Sequence, residues 1–308
     1  MDARTSRVSF LAWWLCVVVT AGPVESASGQ EVVGRRLFSD QLVIAEPFVE
    51  DELALPSILH TRRRTTDDSP ATRATQISAE LKKRLTRNLE GSVAVSLTHS
   101  SPDAKSSVTG FDNLELGLKY QFIRDPMREL VASAAVRWEI GGTGRAATGA
   151  ESFDVVTPAL LVGKGFGDLP EALAGFRPFA LVGALGIGIP SRARHPNTLR
   201  LGAVVEYSLP YLDSVVKDLG LAPPLNRMVP LTEIDLQTSL DRGARGTTVG
   251  TANPGVVWIG TRIQIGVEAV IPVNELSGKG VGVRAFVRFD LEAIFGERLG
   301  RPLFGEMK

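Results

Sequence analysis

Alternation of apolar and polar residues with period two is the feature that most constrains this chain. Residues 279–291 show it clearly, because Val281, Val283 and Val287 fall on one side of an extended strand while Arg284 and Arg288 fall on the other. Ten or more stretches repeat the pattern, each over roughly ten residues, behind an N-terminal export signal. Soluble sandwiches also alternate. The length and context here predict an all-β fold, an antiparallel transmembrane β-barrel of about 10 to 12 strands.

Residues 1–29 have the anatomy of a signal peptide. Two arginines precede the apolar run of residues 8–21, and small residues follow at 26–29. The run is shorter than the roughly 20 apolar residues that a membrane-spanning helix needs. We therefore expect export with cleavage before Gln30, with Ala21 and Ala27 as rival sites, and a location in the outer membrane of a Gram-negative-type envelope.

Composition excludes several classes of function. Lysine plus arginine and aspartate plus glutamate are balanced at 34 each, so no basic field attracts nucleic acid, and we expect no nucleic-acid partner. The single cysteine, Cys16, lies in the signal segment. The exported chain therefore has no disulfide, thiolate nucleophile or cysteine metal site. Beyond residue 30 no run of 15 apolar residues occurs, which argues against an inner-membrane helical protein.

Catalytic arrangements are poorly supported. The histidines are His60, His99 and His195, and Ser100 and Ser191 are close to two of them in sequence. Sequence adjacency is weak evidence for a catalytic triad, since serine and histidine are ordinary loop residues. We therefore expect no enzyme activity, no catalytic residue, no cofactor and no metal site.

The chain divides into three parts. Residues 1–29 are the signal peptide, 30–74 a charged N-terminal lead-in, and 75–308 the barrel, which alternatively starts near residue 50. The predicted strands are 75–86, 88–98, 111–123, 129–141, 153–165, 176–189, 198–209, 229–240, 254–271 and 279–291. Apolar residues between 210 and 230 could form an amphipathic helical patch that closes one end.

The connections leave the strand count open. Residues 98–110, 141–152 and 241–253 read as long loops, and 124–127 and 272–275 as compact turns. Outer-membrane barrels have long external loops and short periplasmic turns. Under that rule another strand must follow residue 291, yet 292–304 alternates poorly. Either residues 51–60 and the C-terminal tail each add a strand, giving twelve, or some long loops face the periplasm and there are ten.

The charged residues of the strands share one phase, which distinguishes the two faces. A lysine or arginine on the lipid face costs about 2 to 4 kcal/mol at the bilayer midplane, so the charged phase should line the lumen. The lumen-lining candidates are Glu115, Lys119, Arg137, Glu139, Arg200, Glu206, Glu233, Asp235, Arg262, Glu268, Arg284 and Arg288. Most should be ion pairs that fill and stiffen a narrow interior, and a minority should set passage or selectivity.

Residues 153–165 are apolar on both predicted faces. Their shared phase with Asp154 and Lys164 predicts that Val156, Leu160 and Val162 face the lumen. A partly apolar lumen could hold a hydrophobic solute or simply be packed, and packing is the favoured interpretation.

Four stretches carry a resemblance to a known family: residues 206–212, 216–221 with 226–230, 266–274 and 299–304. Over roughly residues 45 to 305 the chain resembles the bacterial outer-membrane β-barrel channel family named for the MetA-pathway of phenol degradation. The resemblance implies an outer-membrane barrel that passes small, hydrophobic or aromatic compounds, and it supplies no functional residues. Many barrels end on an aromatic residue used in assembly, whereas here four residues follow Phe304, so Phe289 is the alternative aromatic end.

The sequence thus predicts an outer-membrane channel or transporter for passive passage of small solutes, including hydrophobic or aromatic ones. Its expected partners are membrane lipid, a small-molecule solute and the barrel-assembly machinery. Two alternatives remain: a structural barrel with a filled lumen that conducts nothing, and a soluble periplasmic β-barrel binding protein. Exposure separates them, because a membrane barrel presents Leu114, Leu118 and Ile263 to lipid and a soluble binder hides them.

Overall fold

A closed antiparallel β-barrel forms the body of the protein. The computed structural model describes residues 32–63, 71–103 and 106–304, so the predicted signal peptide lies outside the described residues. The strands are β1 (Val32–Val33), β2 (Arg36–Leu37), β3 (Glu52–Arg63), β4 (Thr72–Arg84), β5 (Leu89–Pro102), β6 (Val108–Phe111), β7 (Leu114–Asp125), β8 (Leu130–Ile140), β9 (Val155–Gly165), β10 (Phe179–Pro190), β11 (Thr198–Tyr207), β12 (Met228–Ser239), β13 (Thr248–Ile259), β14 (Ile263–Pro272) and β15 (Gly282–Asp290).

Each wall strand pairs antiparallel with its neighbours. From β3 to β15 the pairing follows chain order, with β6 and β7 both pairing with β5, and β15 pairs back onto β3 to close the barrel. Counting β6 and β7 as one interrupted strand, the described residues form twelve wall strands. Closure gives every wall strand two partners, with β6 and β7 counted as one strand, so no open sheet edge of the wall faces lipid. The predicted antiparallel barrel of about 10 to 12 strands is confirmed.

Helical segments are short. They are α1 (Leu209–Tyr211), α2 (Leu291–Phe295) and α3 (Glu297–Gly300), the 3-10 turns Ala146–Thr148, Glu171–Phe176, Leu225–Arg227 and Glu275–Ser277, and the π turn Leu212–Val216. Among the described residues, no helix has the length and apolar character needed to cross a bilayer. The helical patch predicted between 210 and 230 is reduced to these short turns.

The predicted strand over residues 254–271 is wrong, because β13 and β14 replace it. The chain turns at Gly260, whose amide donates to the carbonyl of Ile263 at 2.8 Å. Apolar residues continue on both sides of this three-residue turn, so the hydrophobic pattern hides it. The turn also shifts the phase: Ile259 is buried on the lumen side and Ile265 is exposed on the outer side.

The division of residues 254–271 into β13 and β14 explains the strand count that the connections left open. We call the end of the barrel where β3 starts and β15 finishes the near end, and the opposite end the far end. The connection 273–281 lies at the far end, together with 141–154 and 240–247. Strand β15 therefore runs back to the near end, and no strand has to follow it. The tail forms α2 and α3 instead of a strand, and β3 supplies the remaining wall strand.

The outer face is apolar. Leu118 is 45% exposed and Leu160 is 58% exposed, and further leucine, isoleucine and valine side chains project outwards around the wall. Leu114 and Ile263 are partly exposed. A soluble binding protein would bury such residues, whereas a membrane barrel presents them to lipid. The outer face therefore fits a bilayer and does not fit a soluble β-barrel.

The phase predicted for residues 153–165 is wrong. Val156, Leu160 and Val162 point outwards and are exposed, while Thr157, Ala159 and Leu161 line the interior. The lumen phase was assigned from Lys164, which lies at the end of the strand. Its ammonium reaches Asp168 at 2.8 Å, and a charge at that depth costs little on the outer phase.

Candidate functional site

The near half of the lumen is filled by the chain's own N-terminal segment. We call residues 32–51 the plug: the β1–β2 hairpin and the extended residues that follow it. Phe38 and Phe48 are buried, with ring centroids 5.1 Å apart. They pack in one cluster with inward-facing valines of the wall, namely Val131, Val182, Val204, Val229 and Val257. An apolar core therefore occupies the lumen at the near end.

Arg36 anchors the hairpin at the near end. Its Nε donates to a carboxylate oxygen of Glu129 at 2.9 Å, and its Nη atoms donate to the carbonyls of Pro178, at 3.0 Å, and Arg177. The guanidinium also lies 4.3 Å from the ring centroid of Tyr211, whose hydroxyl donates to Glu129 at 3.1 Å. The region after β11 thus contacts the plug through Tyr211, although the plug itself comes from the N-terminus.

Two buried carboxylates of the wall hold the middle of the plug. Glu206 accepts the Ser39 hydroxyl at 2.5 Å and the Ser39 amide at 3.2 Å. Glu233 accepts three successive plug amides, those of Leu42 at 2.6 Å, Val43 at 2.9 Å and Ile44 at 3.0 Å. Both glutamates face the lumen. Their geometry is that of plug receptors.

An ion-pair network holds the C-terminal part of the plug. Lys82 pairs with Glu46, with Glu50 at 3.4 Å and with Glu52 at 3.0 Å. Arg288 pairs with Asp40 at 2.9 Å, Glu46 at 2.8 Å and Glu52 at 3.5 Å. The carboxylate oxygens of Asp40, Glu46, Glu50 and Glu52 lie within 4.8 Å of one another. Cationic side chains occupy this acidic group, so we read it as an ion-pair cluster that fixes the plug.

Further hydrogen bonds and ion pairs hold the C-terminal end of the plug. Lys119 donates to the carbonyl of Phe48 and pairs with Glu90 at 3.2 Å, and Glu90 accepts the amide of Glu50 at 2.9 Å. Asp51 then pairs with Lys83 at 2.7 Å as the chain enters β3.

The charge on Glu46 gives plug docking a defined acid dependence. Burial would raise the pKa of the Glu46 carboxyl, but Lys82 and Arg288 overcome that effect and hold the pKa well below its ordinary value of 4.5. A lowered pKa in the docked state favours docking above the ordinary pKa, and this contribution is lost as pH falls towards the docked value. This contribution predicts that the plug is released more readily as pH falls below about 4.5, which would be measured as a rise in bilayer conductance. A rise already complete at pH 5.5 would contradict this assignment.

A cavity of about 410 Å³ lies between the plug and the far end. Plug residues around Val43 and Ile44 form part of its boundary. Of the predicted lumen residues, those that line the cavity are Glu115, Lys119, Arg137, Arg200, Asp235, Arg284 and Arg288. Two of the lining arginines form ion pairs. Arg137 pairs with Glu115 at 3.4 Å, and Arg284 pairs with Glu268, which lies behind the cavity wall, at 3.1 Å.

The remaining predicted site residues lie elsewhere. Glu139 accepts the side-chain amide of Asn113 at 2.9 Å, and Glu268 is buried behind Arg284. Arg262 lies in the exposed turn between β13 and β14, so its placement on the inner face is corrected by the same turn that divides residues 254–271. The prediction did not include Lys82, Glu90 or any plug residue. The signal that could have found the plug is the combination of Phe38 and Phe48 with acidic residues in a segment without strand periodicity.

Comparison with known proteins supports the fold. No family model and no curated protein sequence matches the chain with significance. Among solved structures, the chain is similar to the COG4313 outer membrane channel from Pseudomonas putida F1. That match has a TM-score of 0.52 at 12% identity and covers 78% of this chain and 95% of that one.

Two further structures have lower scores. The KdgM porin matches with a TM-score of 0.42 at 11% identity, covering 76% of this chain and 98% of that one. The translocator domain of the autotransporter NalP from Neisseria meningitidis matches with a TM-score of 0.45 at 11% identity, covering 78% and 88%. The similarity to the COG4313 channel supports the barrel fold that the sequence predicts and gives no support to the narrower family name. With its exposed apolar outer face, the chain has the fold of a transmembrane β-barrel.

Proposed function

We propose that this protein is a gated outer-membrane channel that passes small solutes passively, including hydrophobic or aromatic ones, and that the plug is its gate. The observation that carries the proposal is the mode of attachment. Strands β1 and β2 pair only with each other, and the described wall strands pair only among themselves. The plug can therefore leave the lumen without breaking a wall ladder.

The plug's contacts suit reversible docking. Side chains of the wall hold it through hydrogen bonds and ion pairs, at Glu129, Glu206, Glu233, Lys82 and Arg288. When the plug leaves, these groups become the lining of a continuous polar lumen, and water can solvate them. Membrane lipid would contact the outer face, and the barrel-assembly machinery would insert the protein.

A non-conducting structural barrel is the second candidate. It is favoured by the apolar packing of Val33, Phe38 and Phe48 against the wall valines, which resembles a permanent core. The two candidates differ in one property: whether the plug leaves the lumen in a membrane.

A reversible disulfide between plug and wall tests this property. A Cβ built on Gly202 lies 2.6 to 3.3 Å from three side-chain atoms of Ile44, so Ile44→Cys/Gly202→Cys places two thiols within bonding reach. The exported chain has no other cysteine. In planar bilayers we expect the oxidised double variant to remain closed, and reduction to restore wild-type openings.

The single variants Ile44→Cys and Gly202→Cys are the controls, because neither can form the bond and neither should respond to reductant. Equal conductance of the oxidised and reduced double variant would show that the plug is not the gate. Absence of openings in the wild type and in the reduced variant would favour the non-conducting barrel.

A further inference from the structure

The cavity has two unlike walls. On the side formed by β8 to β11, small and apolar residues face the lumen. Cross-strand pairing brings Ala135, Ala159, Gly186 and Arg200 into one row, and Leu161, Ala184 and Gly202 lie in the next row. The opposite side, from β3 to β5, presents Ser57, Gln76, Ser78, Glu80, Ser92 and Ser96. A flat apolar part of a ligand would therefore pack against the β8 to β11 side of the cavity.

Gly186 makes this apolar side a recess. A Cβ at this position would lie 3.2 Å from the Pro158 carbonyl oxygen and 3.3 Å from the Ala159 Cβ. Glycine keeps that space free directly beside Arg200, its cross-strand partner. The Arg200 side chain lies beside the next glycine of this face, Gly188, where its Nε is 3.7 Å from the position of a Cβ.

In the part of the chain that the structure describes, Arg200 interacts electrostatically with Asp235 and Glu115 but makes no direct contact with either carboxylate. No hydrogen bond or ion pair involves its side chain, which is exposed to the lumen. Arg137, Arg200 and Arg284 line the cavity together with Asp235, and Asp235 interacts electrostatically with all three. Arg137 and Arg284 already have acidic partners at 3.4 and 3.1 Å. Arg200 is therefore the cation best able to bind an incoming anion.

We infer that the cavity binds a small carboxylate with a compact apolar body, such as a ring-bearing monocarboxylate. The carboxylate would bind the fork of Arg200, with Arg137 and Arg284 adding positive potential, and the apolar body would lie on Ala135, Ala159 and Leu161. A volume of about 410 Å³ suits such a solute. The inference rests on the proposed channel function, because it names the class of solute that the channel would carry.

Calorimetry on the full chain in detergent tests the site with three probes. Benzoate has both the ring and the carboxylate, benzyl alcohol has the ring alone, and acetate has the carboxylate alone. We expect benzoate to bind the wild type at least about tenfold more tightly than either of the others, since only benzoate uses both surfaces. Equal affinity for benzoate and benzyl alcohol would overturn the inference.

Three arginine variants test whether Arg200 binds the carboxylate of benzoate. Arg200→Gln should weaken benzoate about tenfold or more and leave benzyl alcohol unchanged, because the amide keeps hydrogen bonding but loses the charge. Arg200→Lys should be intermediate, since it keeps the charge and loses the fork. Arg262→Gln, the same change in the exposed turn, is the matched control and should bind as the wild type. The folding of each variant is checked on a gel, where a closed barrel changes mobility on boiling. Unchanged benzoate affinity in a folded Arg200→Gln variant would overturn the inference.

Binding in detergent needs no passage across a membrane, so the two proposals can fail separately. Benzoate binding without any effect of the plug disulfide on conductance would remove the gate and keep the site. Disulfide-controlled conductance without benzoate binding would remove the site and keep the gate.

Discussion

Lys82→Met should convert the closed barrel into one that is open for much of the time. The change removes the ammonium shared by Glu46, Glu50 and Glu52 and leaves Arg288 to balance the buried acidic group. Removing one partner of a buried ion pair costs about 3 to 5 kcal/mol, and each 1.4 kcal/mol is a factor of ten in an equilibrium constant. We expect the ratio of undocked to docked plug to rise by about a hundredfold or more, as measured by open probability in single-channel recordings.

Two further variants make the Lys82 prediction specific. Lys164→Met is the same substitution at the near-end rim, where the ammonium contacts Asp168 and loop carbonyls and does not contact the plug. It should conduct as the wild type. Lys82→Met/Glu46→Gln removes one charge of each sign, so it should be more closed than Lys82→Met alone. An opening equal in both lysine variants, or no opening in Lys82→Met, would show that the acidic cluster does not hold the plug.

The wall could be predicted from the sequence because its information is local. A strand that is lipid-facing on one side and polar on the other alternates within ten residues, so Glu115, Arg137 and Asp235 were placed on the inner face by their phase alone. Strand phase gave the wrong face or the wrong strand boundary at two places. Lys164 at a strand end suggested the wrong face, and Gly260 allowed a turn inside an unbroken apolar pattern.

The plug could not be predicted in the same way. It has no strand periodicity, and its partners are far away in the chain: Ser39 and Glu206 are 167 residues apart, and Asp40 and Arg288 are 248 apart. A charged segment after a signal peptide reads equally well as a solvated lead-in. Its true position depends on the volume enclosed by the closed wall, a property that exists only once all strands have paired. For this reason strand phase indicated which residues face the lumen, whereas the contacts of Glu206, Glu233 and Arg288 with the plug were missed.

Glu233 is the wall residue whose contact with the plug is most specific. Its carboxylate accepts three successive backbone amides at 2.6 to 3.0 Å and is fully buried. An ionised carboxylate only accepts hydrogen bonds, which suits a run of amides that all donate. A glutamine of the same shape offers one oxygen and two N–H donors, so at least one plug amide would face a donor instead of an acceptor.

Glu233→Gln should therefore loosen the plug without changing the shape of the wall. A hydrogen bond to a charged group contributes about 1.5 to 3 kcal/mol, so losing one or two of the three should raise the open probability about tenfold to a hundredfold in single-channel recordings. Glu139→Gln is the matched control, because Glu139 contacts Asn113 and no plug residue. If Glu233→Gln gates like the wild type while Lys82→Met opens, the ion-pair cluster alone would hold the plug, and the three amide bonds would only set its path through the lumen.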